Sequence, residues 1–200
     1  SEPTAASPRY TGPVEIGKSA RFRATALREG GENASYSREF AFSKSTGRPA
    51  VLNTKPNDSY TFEGASLLVD GYHSRPVFTS GAWLGYLDEP LDVTIDMGGE
   101  QSYRSVELET LAEKGDWIFP PSSVTVWVSD NGTDFTEVAS VAVPEAKAGD
   151  ADGIGRYRMQ FPETSARYLK VVAQNAAAIP AWHPGAGSKG FLFVDEVVVE

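Results

Sequence analysis

The chain has 200 residues, a net charge of −9, no cysteine, and 40% apolar against 22% charged residues. That length supports one large domain, or two unequal ones, around a real hydrophobic core. The negative charge argues against nucleic acid, whose phosphates need clustered Lys and Arg; no apolar run approaches bilayer-spanning length, and the lack of cysteine removes disulfides, thiolate metal sites and cysteine nucleophiles.

The opening "SEPTAASP" has the composition of a loop and reads as the middle of a longer chain, so a missing targeting signal says little. "RFRATAL" then alternates Phe22, Ala24 and Ala26 against Arg21, Arg23 and Thr25, and "SREFAF" follows the turn signal "GGENAS" at 30–35. The stretch "SKSTGRPAVLNTKPNDS" has no periodicity and divides the chain. Residues 1–47 form a small β unit of about three strands, few for independent stability, and 48–200 a β-sandwich. Further strands are expected at "LDVTIDM", "SVELETL", "SSVTVWVSD", "ARYLKVVAQ" and "FLFVDEVVVE". Turn clusters separate them at "DMGGEQS", "SDNGTD" and "AGDADGIG". Only "VPEAKAG" has helical character, and it is short. The fold class is therefore all-β. In the last strand Phe191, Phe193, Val197 and Val199 share one face, and Leu192, Val194 and Val198 the other. Such a strand is covered on both sides.

From "LLVDG" through "LDVTIDMGG", "SVTVWVSDNGTDFTEV", "ARYLKVVAQN" and "FLFVDEVVV" the chain resembles the discoidin-like domain. This is the coagulation factor V/VIII type C fold, a jelly roll shared by family 32 carbohydrate-binding modules. The stretch from "SEPTAASP" to "GGENAS" is similar to the small module that follows the catalytic barrel in bacterial chitobiases and β-N-acetylhexosaminidases. Together they look like the tail of a secreted glycoside hydrolase family 20 enzyme, without its barrel. The resemblance implies a secreted or periplasmic, cell-surface bacterial protein. It also implies two partners: a galactose- or N-acetylhexosamine-type glycan, and the catalytic domain of the parent hydrolase.

In this fold the resemblance puts the binding face on loops at one end of the sandwich, here 71–86, 112–121 and 174–190. They carry Trp83 and Tyr86, then Asp116 and Trp117, then Asn175, Trp182 and His183. A sugar has an apolar C–H face and a rim of hydroxyls. Covering about 50 Å² of that face gives only ~1 kcal/mol, so binding would be weak and multivalent. Packing competes with binding for each ring. Trp83 stands where the fold usually keeps a buried aromatic. Trp117 is either exposed or tucked down by Ile118 and Phe119. Trp182 with His183 either meets ligand or pins its loop to the sandwich or to the barrel. Trp127 is expected to meet another module. Many family 32 modules grip hydroxyls with an Arg where this chain reads "LAEKGD"; Arg75 and Lys189 are the substitutes on offer.

The resemblance also implies a structural calcium, held by Asp70 of the "DG" turn and Glu196 of the last strand, with Tyr72 in place of the usual second acid. A carboxylate among Leu192, Val194 and Val198 needs a partner if it points inward, and Ca²⁺ or a hydrogen-bond or Arg partner would serve. No catalytic constellation is present. Asp88 with Glu89, Asp92 with Asp96, and Asp195 with Glu196 are neighbours on strands and turns rather than acids facing across a cleft. Two histidines cannot form a three-histidine metal site, and "GAGSKG" precedes a strand rather than a phosphate-binding helix. Two readings stand: a non-catalytic carbohydrate-binding accessory region, or a pair of modules that brace the catalytic barrel.

Overall fold

The structure, a computed structural model, describes residues 2–28 and 33–200. The turn expected at 30–35 lies partly outside the described residues. Strands β1 (Ala20–Ala26) and β2 (Ala34–Phe40) form an antiparallel two-stranded sheet. Phe22 and Tyr36 meet edge to face across it, 6.5 Å apart. Phe40 bridges to Tyr72, and the Arg38 guanidinium lies 3.5 Å from the Tyr72 ring centre, a cation–π contact that ties this hairpin to the rest of the chain. Hydrogen bonds to the larger unit begin before residue 48. Ala41 N–H donates to Gly71 O, Lys44 N–H to Val199 O, and Gly47 N–H to Val69 O. The buried Ser45 hydroxyl donates to Val197 O at 2.5 Å.

Seven strands build the sandwich: β3 (Ala50–Leu52), β4 (Leu84–Tyr86), β5 (Leu91–Ala112), β6 (Ser123–Ser129), β7 (Thr136–Ala142), β8 (Gly153–Gln174) and β9 (Leu192–Val199). Their ladder runs β4-β9-β5-β8-β6-β7 with β3 on β5, every pair antiparallel. The two 22-residue strands serve both layers. Residues 91–96 of β5 pair with β3 and with the later part of β8, which pairs in turn with β6; residues 105–112 pair with β9 and with the earlier part of β8. Between these halves the register breaks at Asp96/Gln101 and again at Tyr103/Ser105. The "DMGGEQS" turn of the sequence is this irregularity inside a strand, with Gly98 at φ 79°. Such a break bends the strand without ending it.

Period-two burial follows the side-chain alternation. Leu91, Val93, Ile95 and Met97 of β5, Val124, Val126 and Val128 of β6, and Leu169, Val171 and Ala173 of β8 all enter one core. The last strand departs from simple alternation. Thr110 pairs with Val194 but Leu108 with Val197, so Asp195 and Glu196 stand opposite Glu109 alone. This two-against-one bulge shifts parity. Leu192, Val194, Val197 and Val199 therefore share the main core, while Phe193 joins Trp83, Leu111 and Ile118 in a second cluster. The face assignment drawn from alternation is corrected accordingly. Strand β7 and the first part of β8 were not expected from the sequence, and 143–147 of "VPEAKAG" is irregular rather than helical. No helix among the described residues is long and apolar enough to cross a membrane.

Candidate functional site

The loop 112–118 is held by short-range bonds. A 3₁₀ turn over Lys114–Asp116 ends at Trp117, whose N–H donates to Lys114 O. Ile118 bridges to Glu113 on one side and to Phe191 on the other. Phe191 N–H donates to Trp117 O at 2.8 Å, and Phe119 N–H to Phe191 O at 2.9 Å. These bonds stitch two sequence-distant loops together just ahead of β9. They also hold Trp117 at φ 63°, a left-handed conformation that costs a non-glycine residue about 1–2 kcal/mol.

The held backbone aims one ring outward. Ile118 and Phe119 are buried, whereas Trp117 remains 42% exposed and Trp182 41%. His183 stands between them: its ring centre is 6.1 Å from Trp117 and 5.5 Å from Trp182, edge-on to both. Both of its nitrogens are engaged, Nδ1 accepting from Gly185 N–H and Nε2 within 2.9 Å of Lys114 O. That pairing assigns the neutral Nε2–H tautomer. Trp182 Nε1–H donates to Ala146 O at 2.9 Å. The Trp117 indole N–H makes no hydrogen bond to any described residue, leaving it as a donor for a ligand. Glycine permits the packing: a Cβ on Gly185 would lie 2.8 Å from the Trp117 ring, and one on Gly190 2.7 Å from Phe119.

The structure brings Trp117, Trp182 and His183 together and separates the other expected contacts from them. Trp83 is fully buried, with Nε1–H donating to Arg75 O at 3.0 Å, so it offers no face to a ligand. Tyr86 is also fully buried, and burial raises its hydroxyl's proton affinity. Asn175 spends its amide N–H on the carbonyls of Tyr86 and Leu87. These three belong to the sandwich rather than to a binding face, because each fills or braces the interior. Arg75 is exposed, and Lys189 is paired with Asp88 at 2.6 Å. The sequence reading missed the second tier of the aromatic surface. Lys114, nearly buried, joins Asp152 and donates to Asp150 O at 2.8 Å, drawing the 143–152 loop against the 112–117 loop.

A second polar concentration lies further along β9. Because of the bulge, Asp195 and Glu196 both face the Gly71–Ser74 turn. Asp195 Oδ2 accepts from Ser74 N–H at 2.7 Å and Glu196 Oε2 from Gly71 N–H at 3.2 Å. Burial pushes Asp195 up to about 8 and Glu196 up to about 10, reinforced by neighbouring carboxylates. Asp70, capped by Tyr72 N–H at 2.7 Å, is raised by burial as well. Burial also works to raise Glu109, but His73 and Arg156 outweigh it and hold that carboxyl low; in return Glu109 raises His73. Glu196 Oε1 and Glu109 Oε2 are buried without partners.

The calcium expected from the resemblance can be tested against this arrangement. Asp70 at the head of the turn and Glu196 on the strand facing it are hard oxygen donors, and Glu196 keeps an orphaned oxygen, so the donor chemistry fits Ca²⁺. No group of three or more acidic or His side chains among the described residues gathers as a metal cluster.

Residues 53–189 match the F5/8 type C domain. No curated protein matches the chain. A solved chitosan-binding module 1, from a Paenibacillus sp. IK-5 chitosanase/glucanase, is 17% identical with a TM-score of 0.51, covering 79% of this chain and 98% of its own; this likeness bears on the fold alone. A CBM32 module from Clostridium perfringens, in complex with GalNAc-β-1,3-galactose, is 16% identical over 76% of this chain and 93% of its own, TM-score 0.49. A Streptococcus pneumoniae fucose binding module is 22% identical over 79% and 94%, TM-score 0.48.

Proposed function

Because the chain belongs to the F5/8 type C domain family, we propose that it is a non-catalytic carbohydrate-binding region that receives a pyranose on the Trp117–Trp182 surface. The observation that carries this reading is the pair of half-exposed indoles flanking a fully hydrogen-bonded His183. An immobile aromatic surface stacks on C–H groups without ordering itself first, and Trp117 keeps an unspent N–H for one hydroxyl. Galactose- or N-acetylhexosamine-type glycans are the ligand class. Asp70 and Glu196 hold a structural calcium that steadies the 70–74 turn. The parent is a secreted or cell-surface bacterial glycoside hydrolase, a β-N-acetylhexosaminidase, with residues 1–47 as the small module between its barrel and the sandwich. A glycan array followed by sugar titration under NMR tests the binding. Hits that shift the Trp117 indole signal support it, and silence at millimolar sugar overturns it.

One observation favours bracing as the role of the first module. Tyr10, Val14, Tyr36 and Phe40 line an open apolar hollow on the hairpin, with Tyr10 75% and Val14 56% exposed. Exposed apolar surface of this kind marks contact with another body. The catalytic barrel is the partner this reading assigns to it.

A further inference from the structure

Beside the two tryptophans lies an apolar cleft of about 330 Å³, at the small end of the ~300–1,000 Å³ typical of ligand pockets. Segments 119–122, 143–146 and 176–181 wall it. Phe119 belongs to both places: it lines the cleft, and its ring centre lies 5.5 Å from His183 and 6.4 Å from Trp182. Pro120, Pro144 and Pro180 add rigid hydrocarbon walls. The Trp182–Ala146 bond ties the 143–146 wall to the aromatic surface. No Lys, Arg or His lines the cleft, and its one acid, Glu145, is exposed. The Ser122 hydroxyl is already donating to Asn175 O at 2.9 Å.

Three neighbouring residues of the cleft wall also have unspent main-chain groups. The peptide groups of Ala176, Ala177 and Ala178 make no hydrogen bond to any described residue, although Ile179 N–H next to them donates to Ser188 O at 2.8 Å. Methyl side chains shield these peptide groups little. An unpaired N–H and C=O beside a hydrocarbon wall complement an acetamido group, which carries one carbonyl, one N–H and one methyl. A neutral, apolar lining disfavours a carboxylate or an ammonium in the same place, since neither would find a buried partner.

We propose that this cleft is a subsite for the acetamido arm of a 2-acetamido pyranose whose ring lies on the Trp117–Trp182 surface. The inference rests on the stacking reading above and narrows its ligand class. The methyl enters between Phe119 and the proline rings, and the amide pairs with the free peptide groups of 176–178.

The test is an NMR titration of the ¹⁵N-labelled protein with N-acetylglucosamine and N-acetylgalactosamine, each beside its parent hexose and its free amine. One buried methyl and one or two added hydrogen bonds predict about tenfold tighter binding of an acetamido sugar than of its hexose. The Ala176–Ala178 amide signals should move with the acetamido sugar and stay still with the hexose. Ala178→Leu, which narrows the cleft, should shrink that preference to within about twofold; its melting curve reports whether it is folded, and the wild-type comparison stands without it. Equal binding of hexose and acetamido sugar, with the 176–178 amides unmoved, overturns the subsite while leaving the stacking surface intact. Tightest binding by the free amine, drawn by Glu145, also overturns it. No binding by any sugar overturns both.

Discussion

The aromatic surface, on loops just ahead of the last strand, and the carboxylates, midway along it, handle their polar atoms in opposite ways. Around Trp117 and Trp182 nearly every heteroatom is satisfied internally: His183 uses both nitrogens and Trp182 its N–H, leaving ring faces and one indole N–H for the outside. Around Asp195 and Glu196 the acids outnumber their partners, and two buried oxygens have none. A site whose polar groups are spent presents shape and hydrocarbon. A site whose polar groups are in surplus recruits protons or a cation. The first presents ring faces, the second a surplus of carboxylate oxygens.

The comparison breaks most readily at Gly190. Gly190→Val places side-chain carbon against buried Phe119, and overpacking of this kind costs about 1–3 kcal/mol. The melting temperature should fall by roughly 2–4 °C for each kcal/mol, read by calorimetry, and sugar binding should weaken with it. Trp117→Ala acts on binding more than on folding: a tenfold or greater loss of affinity is expected, about 1.4 kcal/mol, with a smaller fall in melting temperature because the ring is only partly buried.

The acid turn gives a test in pH and metal. Asp195 and Glu196 bind protons more tightly in the folded chain than in the unfolded one. In chelator, their contribution is complete below about pH 4. It is lost as pH rises through about 8 for Asp195 and about 10 for Glu196. Melting temperature in chelator should therefore drop as pH climbs from 5 to 9, as the linkage relation requires. Calcium should flatten that drop, since an ion that binds only the folded form stabilises it. Glu196→Gln separates the two roles: it should melt no lower than wild type in chelator and should lose the calcium response. A wild type indifferent to both pH and calcium would deny the surplus of charge. The smallest effect is expected from Trp182→Phe, which deletes one bond to Ala146 and costs about 0.5–1.5 kcal/mol, with faster amide exchange confined to 143–152.

Alternation made most of the sandwich legible, because strands covered on one face repeat every second residue: 91–97 and 123–129 read correctly from Val, Ile and Leu alone. The same rule failed at the last strand. A bulge adds a residue without any compositional mark, and only the pairing of Thr110 with Val194 and Leu108 with Val197 reveals it. The gathering of Trp117 with Trp182 and His183 was legible through the fold resemblance. The same resemblance pointed to packing for Trp83, which is buried; the burial of Tyr86 was not legible, since an aromatic in a loop of the right end carries no sign of which way its ring turns. Glycines 185 and 190 read as loop composition, whereas their function is to let indole and phenyl rings approach the backbone.

The bond from Lys44 N–H to Val199 O, with Ser45 anchored on Val197, has a topological corollary. The polypeptide enters the sandwich and leaves it at adjacent points, like a bead threaded through a single hole. Such a unit can be spliced into a surface turn of another protein without prying that turn apart. Tension applied across it would peel the entry segment from the exit strand first, unzipping the seam while the aromatic loops at the other end of β9 stay packed.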